Sequence, residues 1–251
     1  MNLQNLEKIF TNKPAFQLRQ AKEAVFKHLI KDWSEATNLP IQLRETLNKE
    51  CPLNIQAEFF ISDDKNTIKA ILSLSDSDRI ETVLMRYENG RNTICVSSQV
   101  GCPLGCLFCA TGRGGFKRNL SSMEIIEQVV LFARYLKKNA IVSPFEKGGL
   151  RGILKEKIHP SPPFPKEGVE HVNNIVFMGM GEPFLNYENV MAAIKILNNQ
   201  KDGLSIGARH ISISTVGITE GIEKLSDEPL QVNLAISLHA PNNELRSKIV
   251  P

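Results

Sequence analysis

Apolar residues recur at helical spacing in the first part of the chain. From Leu3 to about Cys51 the apolar positions, with Phe16 and Trp33 among them, fall on one helical face, and lysines and arginines fill the other faces. Pro40 stands where a further helix would begin, a position that proline favours. The pattern predicts a small helical domain of two or three helices over residues 1–53. Two roles are equally open for it: packing on the rest of the chain, or contacting nucleic-acid phosphates through its cations.

The hydrophobic period changes to two over residues 54–98. Apolar residues alternate or run together in three segments, which are separated by Asp, Ser and Asn-Gly turn signals. The segments are Lys69–Leu74, Ile80–Met85 and Asn92–Ser97. They predict an antiparallel β meander that leads into the rest of the chain.

Strands and helices alternate over residues 99–251. A helix is expected over Leu120–Lys138, with Glu124 as the capping-box partner of Ser121 or Ser122. A proline- and glycine-rich segment at about 140–170 lacks any apolar period and is expected to be an inserted loop. The later units predict an α/β fold with parallel strands, whose ligands gather at the carboxyl ends of the strands. These strands are expected at Asn174–Met178, His210–Thr215 and Val232–Ser237.

Three of the five cysteines lie within eight residues, at Cys102, Cys106 and Cys109. Thiolates this close on a glycine-punctuated loop can face one point, and thiolates are ligands of zinc and of iron–sulfur clusters. A structural zinc normally takes four protein ligands, and no fourth Cys or His follows nearby. The spacing favours a [4Fe-4S] cluster with one iron open to another ligand; zinc and plain buried thiols are weaker alternatives.

Polar residues and glycines end the predicted parallel strands. Gly181 would let the backbone approach a ligand, and Glu182 could accept a hydrogen bond from an ammonium group, although a bare turn is the plainer interpretation. Ser214 ends the next strand, and Ser237 to His239 end the third. Each of these residues is weak evidence for a ligand site by itself. Only their shared location at the strand ends strengthens that prediction.

Composition narrows the class of protein only slightly. A net charge of +3 permits a nucleic-acid partner without indicating one. The first ten residues lack the basic and apolar regions of a signal peptide, and no run of residues approaches a membrane span. We therefore expect a cytoplasmic protein in a reducing compartment.

Three motifs in the same order resemble the RlmN/Cfr family of radical S-adenosylmethionine (SAM) methyltransferases. They begin at Cys95, Gly179 and Ser237, and read CVSSQVGC, GMGEP and SLHAPN. The family modifies an adenine of 23S ribosomal RNA, at C2 in one branch, which also acts on tRNA, and at C8 in the other. The C2 branch is preferred only because it is more widespread. The implied fold is a partial (β/α) radical SAM barrel, incomplete in these residues.

The resemblance also implies roles for individual residues. Cys102, Cys106 and Cys109 would hold the cluster, and Glu81 would be the proton acceptor. Cys95 would be the thiol that forms a transient disulfide to release the RNA. The SAM site would comprise Gly181, Glu182, Ser214, Ser237, Leu238 and His239.

The family's methyl group is carried by a second, C-terminal cysteine, and no cysteine follows Cys109 here. We therefore expect a C-terminally truncated member, and no methyl transfer from these residues alone. A fragment that holds a cluster or binds RNA without methylating it is the rival hypothesis. The expected partners are 23S rRNA, tRNA and a reductant such as flavodoxin, and the expected state is a monomer.

Overall fold

The structure is a computed structural model that describes residues 1, 3, 5–139 and 171–250. The helices are α1 (Leu6–Ile9), α2 (Ala15–Phe26), α3 (Ile41–Glu50), α4 (Ala110–Arg113), α5 (Ser122–Asn139), α6 (Tyr187–Asn198), α7 (Thr219–Ser226) and α8 (Asn243–Ile249). The strands are β1 (Gln56–Ile61), β2 (Thr67–Ser73), β3 (Arg79–Arg86), β4 (Asn92–Cys95), β5 (Gln99–Gly101), β6 (Phe116–Asn119), β7 (Asn174–Phe177), β8 (Ile211–Thr215) and β9 (Asn233–Ile236). The predicted insertion at about 140–170 lies outside the described residues.

The N-terminal helices α1 to α3 match the predicted number, but one helical face does not run from Phe16 to Trp33. Helix α2 ends at Phe26, because Leu29 takes a left-handed backbone (φ 54°) and Asp32 caps a new 3-10 turn with Glu35. Phe16 is 51% exposed, so its expected core position is wrong. Trp33 is fully buried, and its indole N–H donates to the Cys51 carbonyl at 2.7 Å.

A seven-stranded mixed sheet forms the centre of the molecule, in the order β1-β2-β3-β4-β7-β8-β9. Strands β1 to β4 pair antiparallel. The period of two predicts β2, β3 and β4, whereas β1 lies outside the predicted segments. Strands β4, β7, β8 and β9 pair parallel, as the strand–helix alternation predicts. A second, two-stranded sheet pairs β5 with β6 on either side of the cysteine loop. The α/β class is therefore confirmed, whereas the partial barrel stays a prediction.

The two faces of the large sheet differ in chemistry. One face carries a row of fully buried aliphatic residues that includes Ile80, Ile94 and Ile175, and helix α5 contributes Phe132 to the same core. Because side chains alternate along a strand, the opposite face carries Glu81, Cys95 and Ser214. The predicted chemistry therefore shares one face, away from the buried aliphatic row.

Helix α5 begins with the predicted capping box. The Glu124 N–H donates to Ser121 Oγ at 3.3 Å, and the Ser121 N–H donates to the Glu124 carboxylate at 2.8 Å. The buried residues of the N-terminal helices belong to the same continuous core as the sheet. The division into domains at residues 53 and 98 stays a prediction. Among the described residues, no helix is long and apolar enough to cross a membrane.

Candidate active site

The carboxyl ends of the parallel strands bring most of the predicted site residues to one edge of the sheet. Strand β7 ends before the Gly179–Glu182 turn, β8 ends at Thr215, and β9 ends before Ser237. The cysteine loop between β5 and β6 lies against this edge, where the ring of Phe108 packs on that of His239 at a centroid distance of 4.5 Å. Two motifs that are far apart in the chain therefore meet.

The turn after β7 has a backbone that suits only glycine. Gly181 has φ 94°, and a Cβ there would lie 2.5 Å from the Gln99 Cβ. The Glu182 N–H donates to Gln99 Oε1 at 2.9 Å, and Gln99 Nε2 donates to Asn119 Oδ1 at 2.7 Å. These two hydrogen bonds connect the turn to the small β5–β6 sheet.

The Glu182 carboxylate is only 3% exposed and joins two strand ends. Its Oε1 accepts the Phe184 N–H at 3.1 Å, and its Oε2 accepts the Val216 N–H after β8 at 2.9 Å. Each carboxylate oxygen has a second lone pair. The carboxylate can therefore hold the fold together and still accept from a ligand's ammonium group.

The ends of β8 and β9 are linked by their serines. Ser214 Oγ and Ser237 Oγ lie 3.0 Å apart, in hydrogen-bonding range. Arg246 on α8 donates to the carbonyls of Ser237 and Leu238, and also to the Val216 carbonyl after β8. His239 itself has a left-handed backbone (φ 60°). A single guanidinium thus determines the shape of the strand-end turns where SAM is predicted to bind.

The three loop cysteines differ in exposure, with Cys106 buried and Cys102 and Cys109 partly exposed. Burial raises the pKa of Cys102, and the neighbouring Cys106 and Cys109 thiols raise it further. Burial likewise raises the pKa of Cys106, with an added contribution from Cys109 and a lowering one from Arg246. The three cysteines are therefore near enough to influence each other's ionisation.

The backbone around these cysteines is closely framed. Gly101 has φ 76°, and a Cβ there would lie 1.8 Å from the Gly115 carbonyl oxygen, so the two arms of the loop touch. The Leu107 N–H donates to the Ile249 carbonyl of α8 at 3.0 Å. Leu107 and Phe108 are both more than half exposed.

The donor set fits an iron–sulfur cluster in its chemistry. Three thiols on one loop can supply three iron ligands and leave the fourth iron open. In the described parts of the chain, however, no three His, Cys, Asp or Glu side chains are grouped tightly enough to hold a metal ion. The number of cysteine ligands therefore stays a prediction.

Glu81 and Cys95 lie on neighbouring strands of the polar face. Cys95 pairs with Val83, so Glu81 is a diagonal neighbour of Cys95 on that face. The Glu81 carboxylate is exposed and forms an ion pair with Lys69 at 3.3 Å. Burial raises the pKa of the Cys95 thiol, and a backbone hydrogen bond with Met178 partly opposes this.

Sequence reasoning missed the polar residues whose hydrogen bonds hold the site residues in place. Ser97 Oγ donates to the Glu81 carbonyl at 2.6 Å and accepts the Met180 N–H at 2.9 Å, joining β3 to the glycine turn. The buried Gln128 of α5 pairs with both the N–H and the carbonyl of Ser97. Gln99 and Arg246 belong to the same group. Their only sequence signal is a polar residue inside an otherwise apolar element, or near a motif.

A solved structure shares this fold over the whole chain. It is a radical SAM methyltransferase from Sphaerobacter thermophilus, with a TM-score of 0.82 and 38% sequence identity, covering 100% of this chain and 66% of that one. The described α/β fold thus matches that of a radical SAM methyltransferase.

Curated relatives specify the family. A probable dual-specificity RNA methyltransferase RlmN from Dictyoglomus thermophilum is 44% identical over 95% of this chain and 60% of its own length. A ribosomal RNA large subunit methyltransferase N from Nitrosopumilus maritimus is 46% identical over 88% of this chain and 57% of its own length. The chain belongs to the RlmN family and spans about three fifths of the length of these relatives. No protein-family model matches it.

Proposed function

We propose that this protein is a radical SAM methyltransferase that acts on adenine C2 of 23S rRNA and of tRNA. The observation that carries the proposal is the meeting of the cysteine loop with the strand ends, through Phe108 and His239. The names of the RlmN relatives support RNA as the substrate. The choice of C2 over C8 rests on the wider occurrence of the C2 branch and on no contact in the site.

The cofactors in this proposal are one [4Fe-4S] cluster and SAM. Cys102, Cys106 and Cys109 would hold the cluster, which when bound would supply the electron for cleaving SAM. The carboxylate of Glu182 accepts from the SAM amino group through its remaining lone pairs. Gly181 lets the backbone approach the cofactor. Further contacts come from the strand-end residues Ser214, Ser237, Leu238 and His239.

Glu81 and Cys95 complete the chemistry on the RNA side. Glu81 is exposed, so its carboxylate can receive a proton from an RNA adenine that reaches the polar face of the sheet. The Cys95 thiolate would attack the sulfur that joins the methyl-carrying cysteine to the RNA. The S–S bond would form as the S–C bond breaks, and the carbon would keep the electron pair, take a proton and stay on the RNA as a methyl group. Because burial raises the pKa of Cys95, a base must take its proton before it attacks.

One observation favours a narrower function for these 251 residues by themselves. The sequence holds no cysteine after Cys109, so the methyl-carrying thiol is not among them. On this second proposal they hold the cluster and bind RNA without completing methyl transfer. A reductant such as flavodoxin, a monomeric state and a cytoplasmic location belong to both proposals.

The proposals are tested by two products measured on the anaerobically reconstituted chain with SAM and dithionite. We expect 5′-deoxyadenosine from the wild type and none from Cys106→Ser. Hydrolysed RNA should contain no 2-methyladenosine unless a cysteine-bearing C-terminal segment is joined to the chain. Absence of 5′-deoxyadenosine would contradict the radical SAM assignment, and 8-methyladenosine from the joined form would contradict the choice of C2.

A further inference from the structure

A cavity of about 250 Å³ lies far from the strand-end site, between the N-terminal helices and the main sheet. The segment after α3, strand β1 and the last turns of α5 line it. Helix α5 begins beside the strand ends, where the Leu120 N–H donates to the Ser98 carbonyl. Its C-terminal end lies about 25 Å away, at 1.5 Å per residue. The lining residues are Lys31, Leu53, Asn54, Ile55, Phe59, Leu131, Arg134, Tyr135 and Lys138.

Arg134 is the unusual member of this lining. It is 8% exposed, and its terminal nitrogens donate to the carbonyls of Leu53 and Ile30. Its Nε has no hydrogen-bond partner. The two carbonyl contacts hold the guanidinium, and with it a positive charge, beside the cavity.

Two aromatic rings form one wall of the cavity. Phe59 and Tyr135 stack at a centroid distance of 5.7 Å with their planes 29° apart. Phe59 also meets the buried Phe132 edge-on at 6.3 Å, so a residue of the core holds its ring. Rigid aromatic surfaces of this kind stack with the flat rings of nucleobases and do not select one base over another.

The lining is positive and contains no acidic residue. Lys31 and Lys138 are exposed and flank the buried Arg134. Glu35 is the acidic residue that acts electrostatically on Arg134, and it lies outside the lining. Cations beside an aromatic wall match the two parts of a nucleotide, a phosphate and a base.

We infer that this cavity binds one unpaired nucleotide of the RNA partner, at a point remote from the reacting adenine. Lys31 and Lys138 bind its phosphate, and its base lies against Phe59 and Tyr135. The volume suits a single nucleotide, since it is just below the roughly 300 Å³ at which pockets for drug-sized ligands begin. The inference rests on the proposed function only in taking RNA as the partner.

The lysines provide the first test, because exposed residues can be changed without unfolding the chain. Binding of a short fluorescein-labelled single-stranded RNA is measured by anisotropy, without iron, SAM or reductant. The Lys31→Gln/Lys138→Gln variant should bind about tenfold more weakly than the wild type. The control Lys8→Gln/Lys49→Gln removes the same charge from α1 and α3, outside the cavity, and should lose much less. Equal losses in the two variants would overturn the inference.

The aromatic wall is tested separately from the charges. Tyr135→Leu should weaken RNA binding about fivefold, whereas Tyr87→Leu, at an exposed ring outside the cavity, should leave it unchanged. Adenosine monophosphate should displace the RNA at concentrations where inorganic phosphate does not. Equal displacement by the two would contradict a nucleotide site and leave only an anion site.

These measurements fail independently of the proposed function. A chain that binds RNA through the cavity but does not cleave SAM would contradict only the proposed function. A chain that cleaves SAM, and whose two lysine variants bind alike, would contradict only the cavity assignment.

Discussion

The Glu182 turn and the cysteine loop are two halves of one candidate site, and the fold organises them differently. Both oxygens of the buried Glu182 carboxylate are bonded to backbone N–H groups, and the preceding Gly181 is fitted against Gln99. In the cysteine loop, Leu107 and Phe108 are exposed, and the described thiols are not gathered at metal-binding distance.

The difference shows which part of the site folding alone can build. The Glu182 turn is held by the ends of β7 and β8, so a ligand there meets a preformed surface. The cysteine loop is framed at its base by Gly101 and Gly115, while the final arrangement of its sulfur atoms would depend on the proposed cluster. Changes at the first region should therefore alter stability as well as binding, whereas changes at the cysteines of the second should alter binding with little effect on stability.

Replacing a loop cysteine should have the largest effect. Cys106→Ala removes one of three proposed ligands, and we expect no [4Fe-4S] absorbance after anaerobic reconstitution with iron and sulfide. Its thermal unfolding without metal should differ little from that of the wild type. Cys51→Ala, which removes a buried thiol outside the loop, should keep the cluster. A full cluster in Cys106→Ala would contradict the contrast drawn between the Glu182 turn and the cysteine loop.

Glu182→Ala should lower both stability and SAM affinity. The buried N–H of Phe184 and the part-buried N–H of Val216 lose their acceptor, at a cost of about 3 kcal/mol in the free energy of unfolding. Glu182→Gln keeps one acceptor oxygen and should lose about half as much. Urea unfolding measures the stability and calorimetry the SAM affinity. If Glu182→Ala unfolded like the wild type, the turn would not depend on this carboxylate.

Two glycines give a matched pair across the comparison. Gly181→Ala strains a left-handed backbone and forces Cβ against Gln99, so it should cost about 2 kcal/mol and weaken SAM binding. Gly105→Ala is also left-handed (φ 63°), but a Cβ there meets nothing within 4 Å. It should cost about 1 kcal/mol. Urea unfolding of both variants is the measurement, and an equal cost would contradict the close packing at Gly181.

The smallest effect is expected at the ion network beside the loop. Arg118 on β6 pairs with Glu124 at 2.8 Å. Burial alone would raise the pKa of Glu124, but the hydrogen bonds with Arg118 and Ser121 outweigh it and lower that pKa below 4.5. A carboxyl whose folded pKa is depressed stabilises the fold above its unfolded pKa and loses this contribution as the pH falls.

Arg118→Met should therefore destabilise the chain by about 1 kcal/mol at neutral pH, and by less near pH 3. Chemical unfolding at the two pH values measures the difference, with Arg19→Met on the exposed face of α2 as the control. A loss that stays constant with pH would show that packing, and not charge, accounts for it.

The sequence pattern predicts helices and strands better than it predicts the side-chain contacts that hold them together. Strands β2 to β4, the parallel order of β7 to β9 and the Ser121–Glu124 cap agree with it, because period and capping are local properties. It missed the β5–β6 pair, whose strands of three and four residues are too short to show a period. It also extended the helical face to Trp33, since the turn capped by Asp32 keeps apolar residues at similar spacing.

The predicted site residues came from motifs, and the structure adds the contacts between motifs. Nothing local indicates that Gln99 would receive the Glu182 N–H, or that Arg246 would bridge the ends of β8 and β9. Such contacts depend on how distant segments of the chain pack together. This packing cannot be read from one sequence without its fold. The roles of Glu81 and Cys95 stay predictions from the resemblance.

The most direct test is the electron paramagnetic resonance spectrum of the reduced, reconstituted chain before and after adding SAM. We expect a [4Fe-4S] signal that shifts on SAM addition in the wild type. The signal should persist without a shift in Glu182→Ala, because that variant keeps its cysteines and loses the proposed SAM contact. A wild-type chain without a cluster signal, or with a signal that SAM leaves unchanged, would contradict the joint site of Cys102, Cys106, Cys109 and Glu182.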